Sequence, residues 1–119
     1  MKFAVIVYET QADMNARSDP AKAPAYWASY AAYSKALVAA GVAAGGAGLE
    51  PPSSAATIRV RDGSREVQDG PFADTKEQLG GFFLIDVPDL ETALMWAAKC
   101  PSATSGSVEV RPVLPPPPR

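Results

Sequence analysis

The chain has 119 residues, a formal net charge of −2 and 47 % hydrophobic residues, a composition typical of one globular domain with a single core. It has no run of basic residues, which argues against nucleic-acid binding, and no histidine, the commonest general base and transition-metal ligand. Cys100 is the single cysteine, so an internal disulfide is excluded and a reducing, cytoplasmic location is expected.

The first predicted strand covers residues 2–9, and its consecutive apolar residues favour burial on both faces. The run is too short to span a membrane and lacks the cleavage site of a signal peptide. In the polar stretch 10–22, Ser18-Asp19-Pro20 could begin a helix. The main helix is predicted over residues 23–40, and Gly41 is expected to end it.

Apolar side chains recur at helical spacing along this main helix, which predicts that one face packs on a sheet. They are Trp27, Tyr30, Ala31, Ser34, Leu37 and Val38. An aromatic cluster overlaps the same face, formed by Tyr26, Trp27, Tyr30 and Tyr33. Such a cluster either lines a pocket for an aromatic or apolar ligand or packs in a core or interface.

Residues 42–49 are small, which indicates a closely packed strand or space for a ligand. They lack the Lys-Ser/Thr pair and the glycine spacing of phosphate-binding loops. Residues 56–61 alternate between apolar and polar side chains, which predicts a strand with one solvent-exposed face. Asp62-Gly63 predicts a hairpin turn, and residues 64–68 are predicted as the partner strand. Arg59 and Arg61 on the wet face could meet an anion or a partner subunit.

The second half contains a strand at residues 82–87, a helix capped by Asp89 and ended by Pro101, and a last strand at 107–113. We therefore predict one domain, residues 1–113, and a proline-rich tail, residues 114–119. Without the hairpin the order is βαββαβ, a ferredoxin-like α+β fold.

The densest polar stretch is residues 69–82, DGPFADTKEQLGGF, here called the signature segment. Gly70-Pro71 predicts a turn, and Phe72 and Leu79 are apolar anchors on either side of a charged loop. Gly80-Gly81 is expected to separate that loop from the strand at 82–87. Loops held by a rigid scaffold are where function tends to lie.

The signature segment resembles the DGPF motif of YCII-related proteins through Gly81, and the order of elements agrees over residues 2–113. The resemblance implies a dimeric α/β barrel in which two sheets pack face to face. Better-studied members are thought to use a His on the first helix and an Asp just before a Pro at the end of the second helix. This chain has no His and places Cys100 before Pro101, so that chemistry is not carried over.

The candidate ligand-binding residues are Asp69, Asp74, Lys76, Glu77 and Tyr30. A carboxylate beside a lysine, partly screened from water, is suited to binding or to acid/base chemistry. The alternative is structural: Asp69 caps the Gly-Pro turn, and Lys76 and Glu77 form a solvated surface. No catalytic residue is assigned, because Cys100 has no histidine to activate it and is expected to serve packing.

A sheet covered by helices on one side predicts that the other side is covered by a second copy of the chain, giving a homodimer. The expected contact residues are Val5, Val7, Phe83, Ile85, Val108 and Val110, or their alternating neighbours. Two functional hypotheses stand: a non-catalytic small-molecule binding or accessory protein of the bacterial cytoplasm, or a small enzyme using acid/base chemistry. We expect no cofactor, no membrane or nucleic-acid partner, and no metal, since Asp69 and Asp74 are too few ligands.

Overall fold

The computed structural model describes residues 1–71 and 75–117, and it is an α+β fold. Its main elements are β1 (Lys2–Thr10), α1 (Gln11–Ala16), α2 (Ala23–Ala39), β2 (Ala43–Gly48), β3 (Ala56–Arg61), β4 (Ser64–Asp69), β5 (Glu77–Asp86), α3 (Leu90–Ala98) and β6 (Ser107–Pro112). Four strands form an antiparallel sheet in the order β2-β5-β1-β6, and β3 and β4 form a separate hairpin. With the hairpin set aside, this is the predicted βαββαβ arrangement.

The central strand β1 is buried on one face only within a single copy. Phe3, Val5 and Val7 are at most 2 % exposed, whereas the residues between them are half-buried. The buried face packs with Leu37 of α2 and Ile85 of β5 in the hydrophobic core. Within one copy the second face is half-buried, so burial on both faces stays a prediction that depends on a second copy of the chain.

The open face of the sheet is formed by the alternating neighbours of the core residues. Strand register pairs Ala4 with Leu84, Ile6 with Phe82 and Tyr8 with Leu79 on this face. The residues first expected there lie on the opposite, helix-covered side, in or against the core: Val5, Val7, Phe83, Ile85, Val108 and Val110. The first of the two predicted contact sets is thus already buried by the helices.

A short helix, α1, follows β1 directly and was not predicted. The Thr10 hydroxyl accepts from the Asp13 backbone N–H at 3.2 Å, and the Asp13 carboxylate accepts from the Thr10 backbone N–H at 3.3 Å. This reciprocal capping box satisfies two backbone donors at the helix start. The longer helices agree with expectation: α2 is followed by Gly41 at φ +73°, and Asp89 caps α3.

Strand β5 runs through Gly80-Gly81, where the sequence predicted a break. It begins at Glu77 instead of residue 82, so Glu77 to Leu79 belong to a strand and not to a loop. A Cβ on Gly81, at φ +154°, would lie 2.7 Å from the backbone oxygen of Ala47, so the glycine permits close approach of β2. The β1–β5 register also shifts between Val7 and Tyr8, which marks an irregularity at this point of the sheet.

The hairpin β3–β4 forms a sheet of its own, separate from the four-stranded sheet. Its turn uses Asp62 at φ +51° and Gly63 at φ +77°, as the Asp-Gly signal predicted. Ile58, Val60 and Val67 are each more than half exposed. A two-stranded hairpin is marginally stable alone in water.

None of the helices in residues 1–71 and 75–117 combines the length and apolarity needed to cross a membrane.

Candidate functional site

A cavity of about 500 Å³ lies between α2 and the β2–β5 side of the sheet, and we call it the helix–sheet cavity. The predicted apolar face of α2 forms one wall, and small β2 residues from Ala43 to Gly48 form another. Gly80, Gly81 and Phe82, the last residues of the signature segment, complete the lining beside Phe83. Because β2 has no large side chains, the space beneath the helix stays unfilled.

A buried carboxylate stands at one end of this cavity. Glu9 follows Val7 on the inward face of β1, and its side chain is only 2 % exposed. Its Oε1 accepts from Arg17 Nη2 at 2.6 Å, and its Oε2 accepts from the hydroxyls of Tyr26 at 2.5 Å and Tyr30 at 3.4 Å. These four residues form the Glu9 cluster.

Arg17, just after α1, connects the cluster to the surrounding strands. Its Nε donates to the Tyr26 hydroxyl at 2.9 Å, and its Nη1 donates to the backbone oxygen of Leu49 at 2.5 Å. Its Nη2 donates to Glu9 and to the Gly80 backbone oxygen at 3.1 Å. The Arg17 side chain is 10 % exposed, and its guanidinium joins β1, α2 and β5 to Leu49, the residue after β2.

The two tyrosines are held in the protonated form. Burial raises the pKa of Tyr26, the hydrogen bond to Glu9 raises it further, and the bond from Arg17 opposes this. Burial also raises the pKa of Tyr30, followed by the charge of Glu9, and a hydrogen bond with Ser102 opposes it. Both phenols are therefore proton donors at neutral pH.

The position of Gly80 is determined by the cluster itself. A Cβ on Gly80 would lie 2.3 Å from Glu9 Oε1 and 3.0 Å from Arg17 Nη2. Glu9 cannot swing away freely, because its carboxylate is already bonded to Arg17 and Tyr26. Only glycine allows the ion pair to lie against β5 at this residue.

The structure separates the predicted ligand-binding residues. Tyr30 lines the helix–sheet cavity. Asp69 is exposed at the end of β4, where it borders a second depression of about 360 Å³. Lys76 is exposed, and Glu77 accepts a hydrogen bond from the Ser107 hydroxyl at 2.5 Å. Asp74 lies outside the described residues.

The capping role predicted for Asp69 concerns the turn that follows it, and that turn includes residues 72–74, which the structure does not describe. Its backbone pairs with Ala56 in the hairpin. The cap remains a prediction.

Cys100 is buried beside Ser102, with its Sγ 3.6 Å from the Ser102 hydroxyl oxygen. Burial raises the pKa of the thiol, with a smaller opposing effect from the hydrogen bonds of Ser102. A protonated, buried thiol is a poor nucleophile, which agrees with the packing role expected from sequence.

Within residues 1–71 and 75–117, no group of three or more His, Cys, Asp or Glu side chains is arranged to hold a metal ion. In that part of the chain, the polar side chains that line the cavity include Glu9, Arg17, Tyr26, Tyr30 and Ser34.

Sequence reasoning missed Glu9 and Arg17. Glu9 has the same strand parity as Phe3, Val5 and Val7, so a one-sided strand would have placed its charge on the core face. The signal was lost because the strand was interpreted as buried on both faces. Arg17 carries no comparable signal, since its partners come from four separate elements.

The cluster places a carboxylate, a guanidinium and two phenolic hydroxyls, bonded to one another, at one end of an otherwise apolar space. Such a pocket, with a few convergent polar groups, is the usual form of a small-molecule site. The chain also matches the sequence profile of the YCII-related domain over residues 1–116. It belongs to the YCII-related family.

A relative from Rhizobium meliloti (strain 1021), named Uncharacterized protein R00369, is 51 % identical over 67 residues. The match covers 55 % of this chain and 54 % of the relative. The YCII-related chain thus spans about half the length of the curated relative it matches, and that relative's name assigns no activity.

Proposed function

We propose that this YCII-related protein binds a small organic molecule in the helix–sheet cavity. The observation that carries the proposal is the buried Glu9 cluster at one end of an apolar cavity large enough for a small ligand. The second depression, beside Asp69, is more polar in its lining, and none of the described residues that line it is a buried charge. We therefore favour the helix–sheet cavity as the ligand site.

The link to the signature segment supports the same site. Gly80 and Gly81, near the end of the segment, line the cavity, and Gly80 lies against Arg17 and Glu9. The two glycines of the signature segment, and not its charged residues, would thus form the wall of a pocket beside the DGPF motif. The lone, unpaired cysteine fits a protein working in a reducing cytoplasm.

A thermal-shift screen against small carboxylates and aromatic compounds tests the proposal, because a ligand that binds the folded state raises stability by mass action. Ala31 and Ala32 are neighbours on α2 and both are exposed, but only Ala31 lines the cavity. Ala31→Leu should abolish stabilisation by a screening hit, whereas Ala32→Leu should retain it. The proposal fails if no compound stabilises the wild type, or if hits stabilise both variants equally.

A second candidate function is acid/base catalysis on the bound molecule. It is favoured by a carboxylate and protonated phenols that face the same cavity. Tyr30→Phe keeps the ring but removes the proton donor, so turnover of a bound compound should fall at least about tenfold while binding persists. Recovery of every cavity ligand unchanged after long incubation with the wild type would eliminate this candidate.

The assembly we propose is a homodimer, the dimeric α/β barrel of two sheets packed face to face. Ile6, Phe82 and Leu84 on the open sheet face are apolar and only half-buried within one copy, which supports a covering partner.

A further inference from the structure

We propose that the ligand of the helix–sheet cavity is an uncharged, largely apolar ring compound with a single neutral hydrogen-bonding group. This inference rests on the proposed function and specifies its ligand class. Among the described residues, the cavity lining includes one acid, Glu9, and one base, Arg17. Their 2.6 Å contact neutralises the pair before any ligand enters.

An anionic ligand finds no cation in this lining whose charge is not already balanced. Four of the five Arg17 N–H groups donate to protein acceptors, at Tyr26, Leu49, Glu9 and Gly80, and Glu9 balances the charge. An anion that approached Arg17 would lie near the Glu9 carboxylate and compete with it. Removing one partner of a buried ion pair leaves an uncompensated charge, which is a large penalty.

A cationic ligand is disfavoured by the same cluster. The Glu9 carboxylate is nearly inaccessible and already accepts from Arg17, Tyr26 and Tyr30. Two of the aromatic rings in the lining already face a cation, because the Arg17 guanidinium carbon lies 5.7 Å from the ring centres of both Tyr26 and Trp27. A second cation there would be repelled by the first.

The remaining lining suits an uncharged ring. Phe83, Leu37 and Val38 supply apolar contact, and the small β2 residues leave room for a flat molecule. Ser34, on the α2 wall, carries a hydroxyl that can both donate and accept a hydrogen bond. The Ser34 hydroxyl can therefore pair with a neutral hydroxyl, carbonyl or amide on the ligand.

Three probes of equal ring size separate the charge classes: 2-naphthol, 2-naphthoate and 2-naphthylmethylammonium, which are neutral, anionic and cationic at neutral pH. Isothermal titration of the full chain should give a dissociation constant for 2-naphthol at least about tenfold below those of both charged probes. Ala31→Leu should abolish naphthol binding, and Ala32→Leu should preserve it.

Tighter or equal binding of either charged probe, if lost in Ala31→Leu, would overturn the ligand class and leave the cavity as a binding site. Naphthol binding that survives Ala31→Leu would place the probe elsewhere and overturn the inference. If none of the three probes binds, the neutral-ring class is rejected, while the wider thermal-shift screen still decides the proposed function independently.

Discussion

At the scale of single residues, the Glu9–Arg17 pair is the strongest constraint on the site. Glu9→Gln keeps the side-chain size but leaves Arg17 buried without its counter-charge, so we expect a loss of about 3 kcal/mol in the free energy of unfolding. Glu109→Gln is the matched control, because Glu109 and its partner Arg111 are far more exposed. Measured by urea denaturation, the free energy of unfolding of that control should change by less than about 1 kcal/mol.

Equal effects of the two glutamine substitutions would contradict a buried, charged role for Glu9. The contrast is informative because both pairs have close nitrogen–oxygen contacts, and burial is the principal difference between them. Geometry alone does not determine the energetic importance of an ion pair.

The tyrosines give a second residue-scale prediction, which concerns pH. The pKa of each of the four tyrosines is raised in the folded chain, chiefly by burial. The native state therefore keeps protons that the unfolded chain releases near about pH 10. Stability from this source is complete below that pH and is lost as pH rises above it.

Ultraviolet titration should show phenolate forming at higher pH in the native protein than in urea. Tyr26→Phe removes one such group, so the variant loses less stability at high pH than the wild type. The difference in free energy of unfolding between the two should therefore be smaller at about pH 11 than at about pH 8. A native titration curve that coincides with the unfolded one would refute the burial of these phenols.

At the scale of elements, the glycine end of β5 holds the site together. Gly80→Ala would place a methyl group against the Glu9 carboxylate, which Arg17 and Tyr26 hold in place. We expect the free energy of unfolding to fall by about 2 kcal/mol. Gly48→Ala is the control: it lies on β2, lines the same cavity, and its added Cβ meets no atom within 4 Å. Thermal unfolding of both variants measures the difference.

An unaltered melting temperature for Gly80→Ala would mean that Glu9 and Arg17 rearrange freely, and the cluster would not be a rigid part of the site. Gly80 is suited to this test because its φ is not in the left-handed region, so the substitution adds volume without backbone strain.

The elements themselves were largely predictable from sequence, because β1, α2, the hairpin and α3 carry clear periodicity, caps and turn residues. The course of β5 was not predictable in the same way. Gly80 and Gly81 are usually breaking signals, and only the close approach of Glu9 and Ala47 explains why glycines occur inside this strand. Tertiary contact overrode local propensity.

The site was predicted less well than the fold. Tyr30 and the small β2 residues were recognised as possible pocket walls, and both line the cavity. The charged loop drew attention because polar residues are dense there, but Lys76 lies on the exposed surface. The important charges, Glu9 and Arg17, are isolated in sequence and meet only through folding.

At the scale of the whole molecule, the chain is more extended than a compact domain of its length. Its Cα radius of gyration is 16.3 Å, against about 13.5 Å expected for this number of residues. The hairpin forms its own two-stranded sheet with apolar residues exposed, and residues 113–117 are also exposed. The exposed hairpin and the open apolar sheet face are both surfaces suited to contact with a second copy.

We therefore expect a dimer at micromolar concentration, measured by sedimentation equilibrium. Leu84→Gln, on the open face, should raise the dimer dissociation constant at least about tenfold. Leu94→Gln, on the exposed side of α3, is the matched control and should leave it unchanged. A wild type that sediments as a stable monomer would contradict the proposed barrel.

The most direct test of the central claim is a crystal structure of the protein with the tightest compound from the ligand screen. The account predicts density for the compound between α2 and β2, against Ser34 and Phe83, with the Glu9–Arg17 ion pair intact. Density in the depression beside Asp69 and Pro71, with an empty helix–sheet cavity, would contradict it.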